Sequence, residues 1–393
     1  MNFIGHTQLR EVKRALVYRH YVKGRAKMNL NITRLLEEMP GRAKTTHPTT
    51  SYDVLVDSEA FVADVERILS QARSSVQAQF HIFEADSTGL RFAQALFKVA
   101  QRGVCVQLVT DHIGDLFQSD RFIYLPRFKR SVQQALWREW RAMYELFQEM
   151  QASGIQIRRT NPLGFLGWKA LWRDHKKLVV IDGEDREHRT AYIGGLNIAD
   201  HHAAWHDFMV KIQGGLVERI HADFQRTWNG VTHATGQVID DGGLMLIDSW
   251  GRSPIFAMAQ HLLTAATRRI VLESPYVWGR KIERCLLEAV SRGVEVTLIV
   301  PLNNNHSFPV LTAQRLHALA EKGVNVCWYA EHGGMTHAKA LLVDDQALFG
   351  SSNFNQFLAG KLAELSVVTG EHRFISQLER MLVTDIASSV QGF

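Results

Sequence analysis

The chain has 393 residues, of which 46% are hydrophobic and 22% charged, as in a soluble globular protein large enough for two domains. Its net charge of +5 and pI near 9.1 fit a phosphate-bearing partner, either an anionic membrane or a nucleic acid, without choosing between them. Three scattered cysteines (Cys105, Cys285, Cys327) exclude a disulfide framework or cysteine zinc site and are expected to be buried and reduced; no run approaches the ~18 apolar residues of a membrane span.

Residues 1–51 form a basic extension, with ten Lys or Arg against three acidic residues up to Lys44. The segment lacks the apolar centre of a signal peptide. It reads as a solvated helix or as a basic amphipathic helix on a lipid surface, followed by the polar linker GRAKTTHPTTSYD. From Tyr52 the pattern turns to alternating strands and helices. VQAQFHIF (76–83) alternates as a strand, LRFAQALFKVAQRG (90–103) has helical spacing with a glycine stop, and VCVQLVTD (104–111) reads as a buried strand. An insertion at about 112–150 is aromatic and basic, with a helical stripe in its second part, and reads as a packed helix, a lid or an interfacial element. IQIRR (155–159), HKKLVVID (175–182) and TAYIGG (190–195) are the next strands.

The same order then returns, as RRIVLESPY (268–276), KIERCLLEAVSRG (281–293), VEVTLIVP (294–301) and LTAQRLHALAEKG (311–323). AQRGVCVQLVTD and VSRGVEVTLIVP are close copies, so a whole α/β domain is duplicated. The expected domains are 52–241 and 242–393.

Each copy carries the same motif: His175-x-Lys177-x4-Asp182 and His337-x-Lys339-x4-Asp344. On a strand the His and Lys would share one face. A glycine-containing Asn segment follows each, GGLN (194–197) and GSSN (350–353). One HxK pair is weak, whereas two at matching points of a duplication are highly specific. The set suits phosphodiester chemistry. Lysines and amides can hold the phosphate charge. One neutral histidine can attack phosphorus to form a phosphohistidine. The other can protonate the leaving alkoxide and deprotonate the incoming alcohol or water. No metal or other cofactor is called for, and no ligand-spaced cluster is visible.

These residues resemble the phospholipase D superfamily, and within it bacterial cardiolipin synthases lacking N-terminal transmembrane helices. The resemblance runs from about residue 52 to the end and includes the paired motifs, IGGLNIADHH with WHD, LESPYVW, and GSSNFNQ with Glu364. It implies two α/β/α sandwich domains about a pseudo-twofold axis with the active site between them. It also implies His175 as nucleophile and His337 as acid and base, with Lys177, Lys339, Asn197 and Asn353 on phosphate. Asp207 and Glu364 would orient the histidines, and Asp182 and Asp344 would have a mainly structural hydrogen-bonding role. The segment after the second motif departs from the family: Asn355 stands where an Asp is usual, and no Arg-Ser pair follows. This leaves the acceptor alcohol open.

Other candidates are His188, His201, His202 and His206 as cleft-lining residues, His81 and Glu84 near the first motif, and Pro275 and Tyr276 at the matching point of the second half. Trp137, Trp140, Trp168 and Trp172, with Arg127, Lys129, Arg130, Arg138 and Arg141, could form an interfacial belt. The leading expectation is phosphatidyl transfer with phosphatidylglycerol as donor and acceptor. Hydrolysis to phosphatidic acid and, behind it, metal-independent nucleic-acid cleavage are the alternatives. The expected partner is an anionic phospholipid surface, rather than nucleic acid or an obligate protein partner. The expected location is cytoplasmic, peripheral to the inner membrane.

Overall fold

A computed structural model describes residues 50–112, 130–162, 173–231, 236–240, 243–277, 279–303 and 309–391. The extension up to residue 49, residues 113–129 of the insertion, and Trp168 and Trp172 lie outside these ranges.

Two sheets repeat one plan. The first contains β1 (Thr50–Val56), β2 (Ser75–Phe80), β3 (Cys105–Asp111), β4 (Gln156–Thr160), β6 (Leu178–Ile181), β7 (Thr190–Gly194) and β8 (Phe208–Gly214), in spatial order β1-β8-β7-β6-β2-β3-β4. The second contains β10 (Gly243–Asp248), β11 (Arg269–Glu273), β12 (Glu295–Pro301), β13 (Asn325–Tyr329), β14 (Ala340–Val343), β15 (Gln346–Gly350) and β16 (Leu362–Thr369). Its core order, β10-β16-β15-β14-β11-β12-β13, matches the first sheet strand for strand. The β2-β3-β4 and β11-β12-β13 ladders are parallel, and the remaining pairs in these two paths are antiparallel. The second sheet adds β9 (Gly236–Asp240) and β17 (Ser389–Gln391) at its edges. β9 and β10 pair antiparallel within the second sheet, with Asp240 opposite Gly243.

Both faces of each sheet are covered. In β6, Val179 and Ile181 face an outer core with α1 (Asp57–Leu69), α2 (Ser87–Gln101) and α3 (Arg130–Ala152). Leu178 and Val180 face a central core shared by both sheets and by α5 (Gly215–Trp228) and α9 (His372–Ala387). This burial explains why these strands are nearly continuous apolar runs. Outside the second sheet lie α6 (Pro254–Ala265) and α7 (Arg280–Ser291), each burying an apolar face. The expected glycine stops hold: Gly103 and Gly293 follow α2 and α7 at φ 81°, a left-handed position that glycine occupies at little cost. The duplicated α/β architecture is therefore as expected. One correction concerns the cysteines: Cys285 and Cys327 are buried, but Cys105 opens β3 and is exposed.

Candidate active site between the sheets

HKKLVVID was expected to be one strand. Only Leu178–Ile181 joins the first sheet. Just before it, β5 (Arg173–Asp174) pairs in parallel with Leu362–Ala363 of β16 in the other half, and His175 N–H donates to Ala363 O at 2.9 Å. The motif therefore passes between the two halves' sheets, pairing with β16 at Arg173–Asp174 and joining the first sheet from Leu178. The second motif does the same in reverse. Thr336 bridges to His206, the His206 N–H donates to Met335 O at 3.1 Å, and the His337 N–H donates to His206 O at 2.6 Å. Lys339 also precedes its strand, β14.

This reciprocal pairing sets each histidine beside a carboxylate from the opposite half. His175 Nδ1 lies 2.9 Å from Glu364 Oε1, and His337 Nδ1 lies 2.7 Å from Asp207 Oδ2. A carboxylate that accepts Nδ1–H fixes the tautomer and leaves the Nε2 lone pair for chemistry. Sequence matching brought out the two carboxylates, but the crossed assignment depends on contacts between residues far apart in the chain. The halves support their carboxylates differently. The Ser351 hydroxyl donates to Glu364. The equivalent residue, Gly195, leaves room for Asp207, because a Cβ there would sit 2.3 Å from Asp207 Oδ1. Sequence reasoning missed Ser351; comparison of GSSN with GGLN was the available signal.

Lys177 and Lys339 are each 1% exposed. Lys177 Nζ donates to the His175 carbonyl at 2.6 Å, and Lys339 Nζ lies 2.9 Å from His337 Nδ1 and 3.8 Å from Asp207. Asn197 and Asn353 are buried. Asn197 Oδ1 accepts from Ile82 N–H at 3.1 Å, while Asn353 Oδ1 makes no hydrogen bond.

Burial pushes every ionisable group here towards neutrality. It drives both histidines well below the usual imidazole range, and the neighbouring lysines add to the effect. It lowers Lys177 to about 7 and also lowers Lys339. It raises Asp207 to about 6 and Glu364 to about 8, against the pull of the lysines. The result is two neutral imidazoles facing a pair of lysines whose charge a bound phosphate would stabilise.

Asp182 and Asp344 are not part of this cluster. Each follows its motif strand, so Asp182 lies seven extended residues, roughly 20 Å of chain, from His175. Asp182 accepts the N–H groups of Arg73, Ser74 and Ser75 at 2.9, 2.7 and 3.1 Å. Asp344 accepts those of Thr267, Arg268 and Arg269 at 2.9, 2.9 and 3.0 Å. Each caps the turn that opens its half's central parallel strand.

The remaining candidates divide. The His81 ring lies 4.9 Å from that of His175, with its Nδ1 2.8 Å from Asp174 O. His202 and Trp205 stand 5.7 and 5.5 Å from the His337 ring, and Tyr276 lies at 6.4 Å. Glu84 reaches His201 at 3.5 Å, one residue from His202. His188 does not line the cleft; it pairs with Asp185 at 2.9 Å in the turn beyond Asp182. His206 turns away from the histidine pair, with Nδ1 2.8 Å from Asp57 and Nε2 3.2 Å from Asp385. Burial opposes a charged ring there, but the Asp385 and Asp57 carboxylates raise His206 to about 11. Glu273, from the second half, completes a buried group with His206 and Asp385. No ligand spacing in the sequence announces this cluster, because its members come from three separate stretches of chain. In the segment that departs from the family, Asn355 Oδ1 accepts from Phe357 N–H at 2.9 Å and Gln356 Oε1 from Lys281 N–H at 3.2 Å, docking it near α7.

Comparison with known proteins agrees with this architecture. The family model described as "Cardiolipin synthase, PLD-like domain" matches residues 65–228 and 260–386. Cardiolipin synthase A of Pseudomonas aeruginosa is 27% identical over 359 residues, covering 86% of this chain and 67% of that protein. Cardiolipin synthase 1 of Staphylococcus epidermidis is 25% identical, covering 86% of this chain and 68% of the relative. Among solved structures, phosphatidylserine synthase of Haemophilus influenzae superposes with a TM-score of 0.64 at 13% identity, over 87% of both chains. Polyphosphate kinase of Porphyromonas gingivalis gives 0.56 at 13%, over 86% of this chain and 47% of that one. The solved structures speak to fold alone.

Proposed function

The chain belongs to the cardiolipin synthase, phospholipase D-like domain family, and from that premise we propose that it is a phosphatidyltransferase that uses phosphatidylglycerol as donor and acceptor. The observation that carries this reading is the crossed pair of histidine–carboxylate contacts, each spanning the two halves beside a buried lysine. In the proposed reaction His175 Nε2 attacks phosphorus and the bond to the leaving glycerol oxygen breaks. His337, protonated on Nε2 once the anionic phosphodiester is bound beside it, gives that oxygen a proton. A phosphatidyl group is then held on His175. His337 next removes the proton from the hydroxyl of a second phosphatidylglycerol, whose oxygen attacks phosphorus and frees His175. Cardiolipin and glycerol are the products. Lys177, Lys339, Asn197 and Asn353 hold the non-bridging oxygens, and their interactions strengthen as charge builds in the transition state.

We place this activity at an anionic membrane surface, peripherally and on the cytoplasmic side. No helix among the described residues is long and apolar enough to cross a membrane. On α3, Trp137, Trp140 and Tyr144 are 65, 40 and 50% exposed; Trp137 meets Trp140 edge-on and Trp140 stacks on Tyr144, with Arg138 and Arg141 exposed beside them. Amphipathic rings flanked by guanidinium groups suit the lipid headgroup layer. Incubating the protein with phosphatidylglycerol vesicles should yield cardiolipin and glycerol. Phosphatidic acid as the sole product would make the chain a hydrolase, and inertness towards all phospholipids would end the lipid reading.

A further inference from the structure

We propose that His206, Glu273 and Asp385 form a binding site for one divalent transition cation of the zinc class, which clasps the two halves together beside the active site. The three residues are 3, 0 and 3% exposed and come from separate elements: the segment before β8, the end of β11 and the last turn of α9. One ligand atom from each lies within 4.8 Å of the other two. Glu273 Oε2 and Asp385 Oδ2 have no hydrogen-bond partner, and His206 Nε2 has only its 3.2 Å approach to Asp385 Oδ1. Buried polar atoms left unpaired are costly, so two carboxylate oxygens in one place beside that nitrogen point to something that satisfies them together.

The opposite side of each ligand is already committed. His206 Nδ1 faces Asp57 Oδ1 at 2.8 Å, the carboxylate–histidine arrangement that aims Nε2 at a metal. The hydroxyl of Thr336 donates to Glu273 Oε1, leaving Oε2 for the cation. Nε2 stands 3.2 Å from Asp385 Oδ1, close to the ~3.3 Å separating two ligands on a tetrahedral zinc with ~2.0–2.1 Å bonds. No lysine or arginine lies within ion-pair distance of Glu273 or Asp385 among the described residues. A divalent ion would displace the proton that the neighbouring carboxylates hold on the His206 ring and balance both carboxylates, and one nitrogen with two carboxylate donors suits zinc.

The position gives the site a purpose. The His206 carbonyl accepts the His337 N–H, and Asp207 is the next residue. A cation on the His206 ring would therefore anchor the segment that orients His337. Among the described residues this cluster has no counterpart around the first motif: the residue equivalent to His206 is Ala363, which makes the matching bond to His175. One ion per chain follows.

The test uses the tag-free full chain, purified without chelator. Elemental analysis should find about one zinc per chain. Chelation should lower the thermal midpoint by on the order of 5 °C, and stoichiometric Zn²⁺ should restore it. Glu273→Gln and Asp385→Asn preserve shape and should abolish both the bound zinc and the Zn²⁺-dependent shift. Two results would overturn the proposal: a wild-type chain with under about a tenth of an equivalent of metal and no response to added Zn²⁺, in which case shared protons bridge these atoms, or undiminished zinc in both variants. The wild-type measurement decides even if a variant fails to fold.

Discussion

The two halves share strand order, motif and the backbone exchange that seats each histidine, yet they differ wherever a polar side chain supports that exchange. In the first half, Asp174 accepts from the Gln79 amide at 2.8 Å; at the matching place in the second, Thr336 donates to the Glu273 carboxylate. Gly195 makes room for Asp207, whereas Ser351 donates to Glu364. Ala363 in one half stands where the other has buried His206. Backbone geometry is thus common to both copies while the surroundings of the two histidines have diverged. Two identical histidines would be redundant in a reaction that needs one nucleophile and one proton carrier.

The largest expected effect comes from breaking that asymmetry at its centre. His175→Ala should remove turnover, by a factor of about 10⁴ or more, and all covalent labelling. His337→Ala should slow turnover by about 10²–10⁴, yet still accumulate a phosphoenzyme from a nitrophenyl phosphodiester, whose leaving group needs no proton. Quenched-flow labelling separates the two outcomes.

The crossed contacts make the next prediction directional. Asp207→Asn should behave as a milder His337→Ala, and Glu364→Gln as a milder His175→Ala, each costing about 10²-fold or more. Contacts within each half would give the opposite pattern in leaving-group dependence.

The pH profile follows from the shifts at the site. Lys177, lowered to about 7, loses its charge as pH rises through that value, and Asp207, raised to about 6, becomes protonated below it. Glu364, raised to about 8, also becomes protonated as pH falls through its own value, so kcat/KM should follow a narrow bell that falls on both sides of its maximum. Lys177→Arg keeps its charge at alkaline pH and should flatten the alkaline limb while lowering the maximum.

Asp182 and Asp344 sharpen the comparison by their likeness. Burial opposes their charge, but the amides around each hold both carboxyls below the usual range. A depressed folded-state pKa stabilises above the unfolded value, and that stabilisation is lost as pH falls through the folded one. Asp182→Ala and Asp344→Ala should each cost about 1–3 kcal/mol in urea unfolding near pH 7, with kcat of the folded fraction unchanged. The smallest effect belongs to the helix present in only one half. Trp137→Ala with Trp140→Ala should weaken binding to anionic vesicles about tenfold and leave cleavage of a soluble phosphodiester unaltered.

Much of this fold was legible in the sequence because the duplication repeats whole phrases, glycine stops included. The helix of the insertion also followed from its stripe: Met143, Leu146, Phe147 and Met150 are its buried face. What escaped the sequence is non-local. The strand reading of His175–Asp182 missed the change of sheet, because Arg173–Asp174 pairs with Leu362–Ala363, nearly two hundred positions away. Cys105 looked like its apolar neighbours, but it starts its strand at an exposed position. His188 and His206 stand near the first motif in sequence and point elsewhere in space, one into a surface turn and one into the contact between halves. Periodicity reports which face a residue takes within its own element; it carries nothing about a partner from the other copy.

The most direct test of the account is to mix the enzyme with phosphatidylglycerol labelled in its phosphate, quench within one turnover, and map the labelled peptide. Acid-labile phosphate should appear on His175 in the wild-type chain and accumulate further in Asp207→Asn with an activated substrate. Label on His337, or turnover to product with no covalent phosphate at any quench time, would contradict it.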